Sequence, residues 1–239
     1  MGIKEITPDQ IVLGTWGPVE LNATILFTWL VMVLLAGGAW LITRNLTTGP
    51  RMSRWQNLLE VVVGYMRKEI RDISQGRAEG YLPLVGTLFL FVALSNLLAV
   101  VPGFMPPTAS LSTTAALALC VLVAVPYFGV RRQGLGGYLR QYLQPSPLML
   151  PMNLLGELSR TLALAVRLFG NIMSGMKIAG ILLAVAPLAF PVVMQALGLL
   201  TGMIQAYIFA VLAMVYIASA TRARQDTENR AGDRNKGDA

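Results

Sequence analysis

The chain has 239 residues, of which 55% are hydrophobic and only 13% are charged. This composition excludes an ordinary water-soluble domain, and several apolar stretches are long enough to span a bilayer, so we expect one membrane domain. The net charge of +7 does not indicate nucleic-acid binding, because the basic residues cluster in the loops between the apolar stretches.

The first elements are an external segment, a spanning helix and an interfacial helix. Residues 1–20 are polar and mildly acidic, without the basic start and short apolar core of a cleavable signal peptide. A membrane domain is predicted over 21–221, and its first spanning segment is 22–42. Residues 52–75 have apolar positions at helical spacing and charges on the opposite face, so this helix is predicted to lie at the cytoplasmic interface.

Four further apolar segments complete a predicted all-α membrane fold of about five spanning helices. They cover 82–101, 114–130, 154–185 and 192–218. A single helix over 154–185 would be about 50 Å long, whereas the hydrocarbon core is about 30 Å thick. The last two helices are therefore predicted to be long and strongly tilted. Residues 222–239 are charged and poor in apolar residues, which predicts a disordered cytoplasmic tail.

The basic residues predict the orientation. Those of the loop 44–77, the loop 131–140 and the tail after 221 fall on one side of the membrane if five segments cross in turn. The N-terminus and the loops near 102–112 and 187–191 carry almost no bases. The positive-inside rule therefore predicts an external N-terminus and a cytoplasmic C-terminus.

A stripe of polar residues runs along the otherwise apolar segment near 154–185. Its members repeat at spacings that place them on one helical face, with Leu164 in the one gap. Polar groups are costly in lipid, so this face is expected to meet protein or water. Arg160 is expected to pair with Glu157 and reach the headgroups, and Lys177 to reach the outer headgroups. The stripe consists of Asn153, Glu157, Arg160, Arg167, Asn171 and Ser174.

Arg167 has no well-placed acidic partner in its own chain. The chain has 12 aspartates and glutamates, and only Glu157 lies within a spanning segment. That carboxylate is ten residues away, roughly 15 Å along a helix. A central arginine costs about 2.5–3.5 kcal/mol on insertion scales. We infer that the compensating carboxylate belongs to another chain.

Small residues in the last two segments would let another helix approach closely. Gly170 pairs with Ser174, and Gly198 pairs with Gly202, at the small-xxx-small spacing. Gln205 is a rare polar group in the last span. It is expected either to hydrogen-bond within the bundle or to orient the central arginine.

Several stretches resemble subunit a of the F-type ATP synthase membrane sector. They are AVRLFGNIMSG, IQAYIFAVLAMVYIASA, LSNLLAVVPG, PTASLSTTAALAL and LPMNLLGELSR, and the similarity covers about 42–220. The resemblance implies five spanning segments, an interfacial helix and two long tilted helices against a rotating ring of c subunits. It also implies that Arg167 is the essential arginine facing the ring carboxylate, with Asn171 and Gln205 at matching polar positions.

The same resemblance implies a stator ion-channel subunit with two half-channels. Its fixed arginine charge would drive ion release from the ring carboxylate. Such a subunit is not an enzyme by itself, because the ATP chemistry belongs to other subunits, and no cofactor or metal is expected. The implied partners are the c-subunit ring, b-type peripheral stalk subunits and the lipid bilayer, in a bacterial inner membrane.

The chain departs from the family at the usual proton carriers. Met176 and Gly198 stand where relatives often have a carboxylate or another polar or ionisable group, Ser110 replaces an acid, and histidine is absent. Protons are the expected coupling ion from the family, and sodium is the alternative. Water could replace the missing relay along a path lined by Ser110, Ser112, Asn171, Ser174 and Thr201.

Three other functions would also use or tolerate an intramembrane arginine. A secondary transporter could hold an anionic substrate on Arg167, but the chain is small and has no internal repeat of the transporter type. A voltage sensor needs several arginines at every third position, which this chain does not have. A purely structural scaffold would tolerate Arg167→Ala.

Overall fold

The structure of the chain is a computed structural model that describes most of the sequence in seven stretches. The described stretches contain every residue of the polar stripe and both ends of each membrane helix. They are residues 12–16, 19–44, 54–73, 80–101, 103–143, 149–185 and 190–237.

In chain order, the described residues form two short strands, then helices joined by short connections. The strands are β1 (Val12–Trp16) and β2 (Val19–Asn22). A short 3-10 turn, Pro107–Ala109, lies between the third and fourth helices. The helices are α1 (Ala23–Arg44), α2 (Arg54–Ile73), α3 (Leu82–Leu98), α4 (Leu111–Leu143), α5 (Met149–Val185) and α6 (Phe190–Gly237).

The predicted all-α membrane fold is confirmed. Within the described residues, four helices are long and apolar enough to cross a bilayer. The apolar helix α3 is shorter, with 17 residues and a length of about 25 Å. α5 has 37 residues and a length of about 55 Å. The expected tilt follows from this length, because the helix is longer than the hydrocarbon core is thick. The long spans are Ala23–Arg44, Leu111–Leu139, Leu150–Leu182 and Val192–Ala220.

A β-hairpin precedes the first helix, where composition predicted only a polar segment over 1–20. β1 and β2 pair antiparallel, with Thr15 opposite Glu20 and Trp16 opposite Val19. β2 runs directly into α1 without a linker. The hairpin is therefore continuous with the N-terminal end of the first membrane helix.

The amphipathic helix α2 packs one face against the bundle. Met66 and Ile70 are buried in a cluster that includes Met214 of α6. Arg67 and Lys68, between them in sequence, are exposed. The separation of apolar and charged faces is the one that the helical spacing of this segment predicts.

A glycine breaks α4 near its C-terminal end. Gly134 has φ 74° and ψ 162°, a backbone region that glycine alone adopts readily. Beyond it the chain is helical again, and the Tyr138 ring packs so close to Gly129 that an added Cβ would lie 2.5 Å from it. Gln133 donates from Nε2 to the main-chain carbonyl of Ala220 at 2.8 Å, which ties the break to α6. The basic stretch predicted as a loop is therefore helical around this break.

α6 continues well beyond the last membrane span. The helix ends at Gly237, whereas composition predicted a disordered tail over 222–239. Extending an existing helix needs no new nucleus. The added stretch contains no proline and has four arginines and two alanines, which favour helix.

Two clusters of buried side chains hold the bundle together. One includes Tyr81 and Met214 and joins α2, α3, α4 and α6. The other includes Leu164, Leu168 and Phe209 and joins α3, α4, α5 and α6. The second cluster fixes α5 beside α6, and it therefore positions the polar stripe.

Candidate functional site

Arg167 lies on the outer side of α5, between two buried leucines. Leu164 and Leu168 are 1% and 0% exposed and pack with Phe209 of α6. Arg167 itself is exposed. In the part of the chain that the structure describes, no carboxylate forms an ion pair with this arginine. One helical turn thus keeps its leucines inside and leaves its cation on the protein surface.

Arg160, nearer the N-terminal end of α5, contacts an aromatic ring. Its guanidinium carbon lies 5.9 Å from the centroid of the Tyr216 ring on α6, which is within cation–π range. The hydroxyl of Thr161 donates to the main-chain carbonyl of Glu157 at 2.9 Å. The ion pair of Arg160 with Glu157 stays a prediction, and the Tyr216 ring is a partner that the sequence did not indicate.

Asn171 links α5 to α6 one turn beyond the central arginine. Its Nδ2 donates to the main-chain carbonyl of Thr201 at 3.4 Å. The hydroxyl of Ser174 donates to the carbonyl of Gly170, and that of Thr201 donates to the carbonyl of Leu197 at 3.0 Å. Both hydroxyls therefore bond within their own helices, whereas Asn171 bridges the two. Toward the C-terminal end of the same helix the Lys177 side chain is exposed.

A cavity of about 300 Å³ lies between α3, α5 and α6, and we call it the Gln195 cavity. Met176 and Gly198, the two positions at which the resemblance leads us to expect polar or ionisable groups, both line it. Its lining residues include no aspartate, glutamate, lysine or arginine. Its polar lining is formed by Asn96, Asn171, Gln195 and Thr201.

Ser110 and Ser112 lie at the start of α4, outside the lining of the Gln195 cavity. Their hydroxyl oxygens are 2.6 Å apart, and Ser110 is buried. Thr108, in the buried 3-10 turn before them, donates to Oδ1 of Asn96 at 3.4 Å. Residues 106–110 of the loop near 102–112 are thus buried in the bundle, and they approach the cavity through Asn96.

Two amides of this site were not predicted. Asn96 is buried and donates from Nδ2 to the main-chain carbonyl of Gly202 at 2.7 Å. Gln195 donates from Nε2 to the carbonyl of Val100 at 3.1 Å. Both bonds tie α6 to α3 or to the residues just after it. Asn96 is the one amide side chain in its apolar span, a signal like the one that singled out Gln205, so sequence reasoning could have found it.

The glycines expected to admit another helix have different surroundings. A Cβ on Gly170 or Gly198 would meet no atom within 4 Å. A Cβ on Gly202 would lie 3.1 Å from the side chain of Asn96. Gly202 therefore allows a close approach within the chain, whereas the space beside Gly170 and Gly198 is open.

A second polar cavity lies at the opposite end of the α5–α6 pair. It measures about 420 Å³, and we call it the Glu157 cavity. A cavity of about 20 Å³ lies beside it, and we call this one the Tyr216 cavity. Glu157, Arg160 and Ser219 line both of them, and Asn153 lines the larger one.

Between the Gln195 cavity and the Glu157 cavity, the α5–α6 interface is closed by apolar packing. Along both helices, the packed residues lie between the stretches that line the two cavities. The central arginine lies at the same level, on the outside of α5. We call this packing the closed layer, and it consists of Leu164, Leu168, Ala206, Phe209 and Ala213, each at most 1% exposed.

Gln205 precedes the closed layer on α6, and its amide is unsatisfied. The residue is 6% exposed, and its Nε2 has no hydrogen-bond partner among the described residues. A buried amide nitrogen without a partner costs about 1–3 kcal/mol. Packing alone does not account for a polar group at this position.

Comparison with known proteins gives one consistent family. Residues 25–218 match the family model described as ATP synthase A chain. The chain is 61% identical to ATP synthase subunit a 2 of Acaryochloris marina over 220 residues, which is 92% of this chain and 94% of the relative. It is 60% identical to ATP synthase subunit a of Albidiferax ferrireducens and 59% identical to ATP synthase subunit a 1 of Chlorobaculum parvum. These alignments cover 92% of this chain and 95% and 97% of the relatives.

Proposed function

Because the chain belongs to the ATP synthase A chain family, we propose that it is the stator ion-channel subunit of a rotary ATP synthase. In this role it is a multi-pass membrane subunit that performs no ATP chemistry. A ring of c subunits supplies the carboxylate that Arg167 needs, and b-type stalk subunits hold the chain against rotation. The membrane is the bacterial inner membrane, with the N-terminus outside, an orientation that the distribution of basic residues supports.

The chemistry of the central arginine supports this function. Arginine does not deprotonate in proteins, so its charge is fixed. A nearby opposite charge lowers the pKa of a carboxylic acid by about 1–3. A ring carboxylate that passes Arg167 would therefore release its ion. The exposed position of Arg167 on α5 supports such an encounter, because no helix among the described residues covers it.

The closed layer is the observation that carries the proposal. The Gln195 cavity and the Glu157 cavity open on either side of it, so each can serve as one half-channel. An ion that enters one cavity cannot continue to the other through the packed leucines and Phe209. Its route passes over the outer side of α5, where Arg167 stands and a ring carboxylate would move. Each elementary charge that crosses 100 mV then supplies about 2.3 kcal/mol for rotation.

Protons are the coupling ion expected from the family, and the Gln195 cavity favours sodium as a second candidate. The cavity has amide and hydroxyl groups but no titratable side chain among its lining residues. Neutral oxygen atoms can replace part of the hydration shell of a metal cation. A proton would need a chain of water molecules through the same cavity.

The decisive experiment replaces Arg167 in the assembled complex. In Arg167→Ala and Arg167→Gln, we expect ATP-driven ion pumping in vesicles to fall by about 10- to 1000-fold, the effect of losing a charge that shifts a carboxylate pKa. Arg167→Lys should also lose most of the activity, because lysine can lose its proton when desolvated. Val166→Ala, at the exposed neighbouring position, is the matched control and should pump normally.

Normal pumping by Arg167→Ala, in a complex that retains all its subunits, would contradict the proposed function. The same vesicles identify the coupling ion. Pumping that requires added sodium and resists a protonophore indicates sodium. Pumping that is unaffected by sodium and abolished by a protonophore indicates protons.

A further inference from the structure

The Glu157 cavity and the much smaller Tyr216 cavity lie next to each other at Arg160. The larger cavity is about 420 Å³ and the Tyr216 cavity about 20 Å³, which leaves room for about one water molecule. Glu157, Arg160 and Ser219 line both. The boundary between wide and narrow space is therefore formed by these side chains and by the Tyr216 ring under the guanidinium.

We propose that Arg160 and Tyr216 form the charge-selective constriction of the ion path that leads from the Glu157 cavity toward Arg167. The direction of this path rests on the proposed function. Arg160 lies seven residues before Arg167, about 10 Å along α5. Thr161 lines the narrow cavity next to Arg160, so a molecule that passes the constriction arrives beside this threonine.

The charges at the constriction would discriminate between ions. The guanidinium of Arg160 is permanently positive, and the side chain of Glu157 lines the same two cavities. The remaining wall of the narrow cavity includes the apolar side chains of Val121, Leu122 and Val125. Charge interactions are stronger beside apolar walls than in bulk water. Where the guanidinium stands therefore determines how easily a cation passes.

The aromatic ring fixes that position. Tyr216 packs against both buried clusters of the bundle, and the hydroxyl of Ser219 donates to its main-chain carbonyl at 2.8 Å. The ring is thus held by the core, whereas the side chain of Arg160 is exposed. Arg160 is the part of the constriction that can move, and stacking on the ring keeps it in place.

Thiol labelling tests the constriction without turnover. Cys120, the single cysteine of the chain, is replaced in Cys120→Ser. Thr161→Cys then reports access to the narrow cavity, and Met152→Cys reports access to the Glu157 cavity. Vesicles with the assembled complex and an accessible cytoplasmic face receive a small cationic or a small neutral methanethiosulfonate, and the labelling rate is read from the mass of this chain.

The proposal makes a distinct forecast for each variant. Tyr216→Leu should speed labelling at Thr161→Cys by both reagents by about tenfold, and Tyr216→Phe should leave the rates unchanged because the ring remains. Arg160→Gln should raise the ratio of cationic to neutral labelling by about tenfold, whereas Arg160→Lys should keep the ratio of the unmodified constriction. At Met152→Cys, all four variants should label at the same rate.

Equal rates at Thr161→Cys in all four variants would overturn the proposal, and so would an unchanged reagent ratio in Arg160→Gln. The result does not depend on ion pumping. If Arg167→Ala pumps normally while the labelling follows the forecast, the proposed function fails and the constriction stands. If Arg167→Ala is inactive and the labelling rates are all equal, the constriction fails and the proposed function stands.

Discussion

Asn96 donates a hydrogen bond from Nδ2 to the main-chain carbonyl oxygen of Gly202, 2.7 Å away, and so joins α3 to α6 inside the bundle. The approach is possible because Gly202 has no Cβ. One added there would lie 3.1 Å from three atoms of the Asn96 side chain. The same asparagine accepts from Thr108 at 3.4 Å and lines the Gln195 cavity. A single pair of residues thus sets both the helix spacing and the wall of a candidate half-channel.

Gly202→Ala should destabilise the chain because the new methyl group displaces Asn96 from its hydrogen bond. The matched control is Gly198→Ala on the same helix, where a Cβ meets nothing within 4 Å. Both substitutions change helix propensity equally. The difference in unfolding free energy between the two variants therefore reports the contact of the added methyl group with Asn96. We expect Gly202→Ala to be less stable than Gly198→Ala by about 1 kcal/mol. Unfolding of the full chain in mixed detergent micelles measures this difference, and equal stability would contradict the explanation given for Gly202.

Gly198→Leu should obstruct the Gln195 cavity, since position 198 lines it and has open space beside it. An apolar side chain there replaces water in the path and narrows it. We expect ATP-driven ion pumping to fall by about tenfold, with the complex still assembled, while Gly198→Ala pumps nearly normally. The measurement is the initial pumping rate in vesicles at equal complex content. Normal pumping by Gly198→Leu would mean that ions do not use this cavity.

Gly134→Ala should weaken the break in α4. A residue with a Cβ pays about 1–3 kcal/mol in the backbone region that Gly134 occupies, and the strain would loosen the bond from Gln133 to Ala220. Gly136→Ala, two residues on in helical backbone with nothing within 4 Å, is the control and should be neutral. Limited proteolysis of the complex should cut Gly134→Ala faster near the break. Identical cleavage of the two variants would contradict the prediction.

Tyr65 on the interfacial helix should ionise at higher pH than an ordinary tyrosine. Hydrogen bonding to Tyr207, and then to Glu69, raises the pKa of Tyr65 from 10.0 to about 12. Because the folded chain favours the neutral phenol, this contribution to stability is full below pH 10 and is lost as the pH rises through 12. The measurement is a pH titration followed by phenolate absorbance. The ionisation step at the highest pH should disappear in Tyr65→Phe and should move to lower pH in Tyr207→Phe. Tyr127→Phe, at an exposed tyrosine of α4, is the control and should keep the step.

Arg167 could be singled out from the sequence because a lone cation in an apolar run is a chemical signal, and its role stays a prediction. An isolated cation in an apolar run is costly wherever the helices pack, and the count of acids is a property of the sequence. The structure adds that Arg167 is exposed while Leu164, in the gap of the same stripe, is 1% exposed. The stripe therefore straddles the edge of the buried face, and only tertiary packing decides which members turn inward.

Other features depended on contacts between distant residues. The hydrogen bonds from Asn96 to Gly202 and from Gln195 to Val100 join residues about a hundred positions apart. The local spacing of residues in the sequence therefore cannot predict them. The break at Gly134 was hidden because glycine and aromatic residues are typical of loops. Its helical continuation is held by Gln133 and by the packing of Tyr138, which are tertiary effects.

The closed layer also bears on biogenesis. A membrane subunit with one continuous pore would dissipate the ion gradient from the moment of insertion until its partners arrived. Here the closed layer of buried side chains lies between the Gln195 cavity and the Glu157 cavity. In the proposed role, a newly inserted copy would therefore not conduct ions across the membrane before its ring of c subunits is assembled.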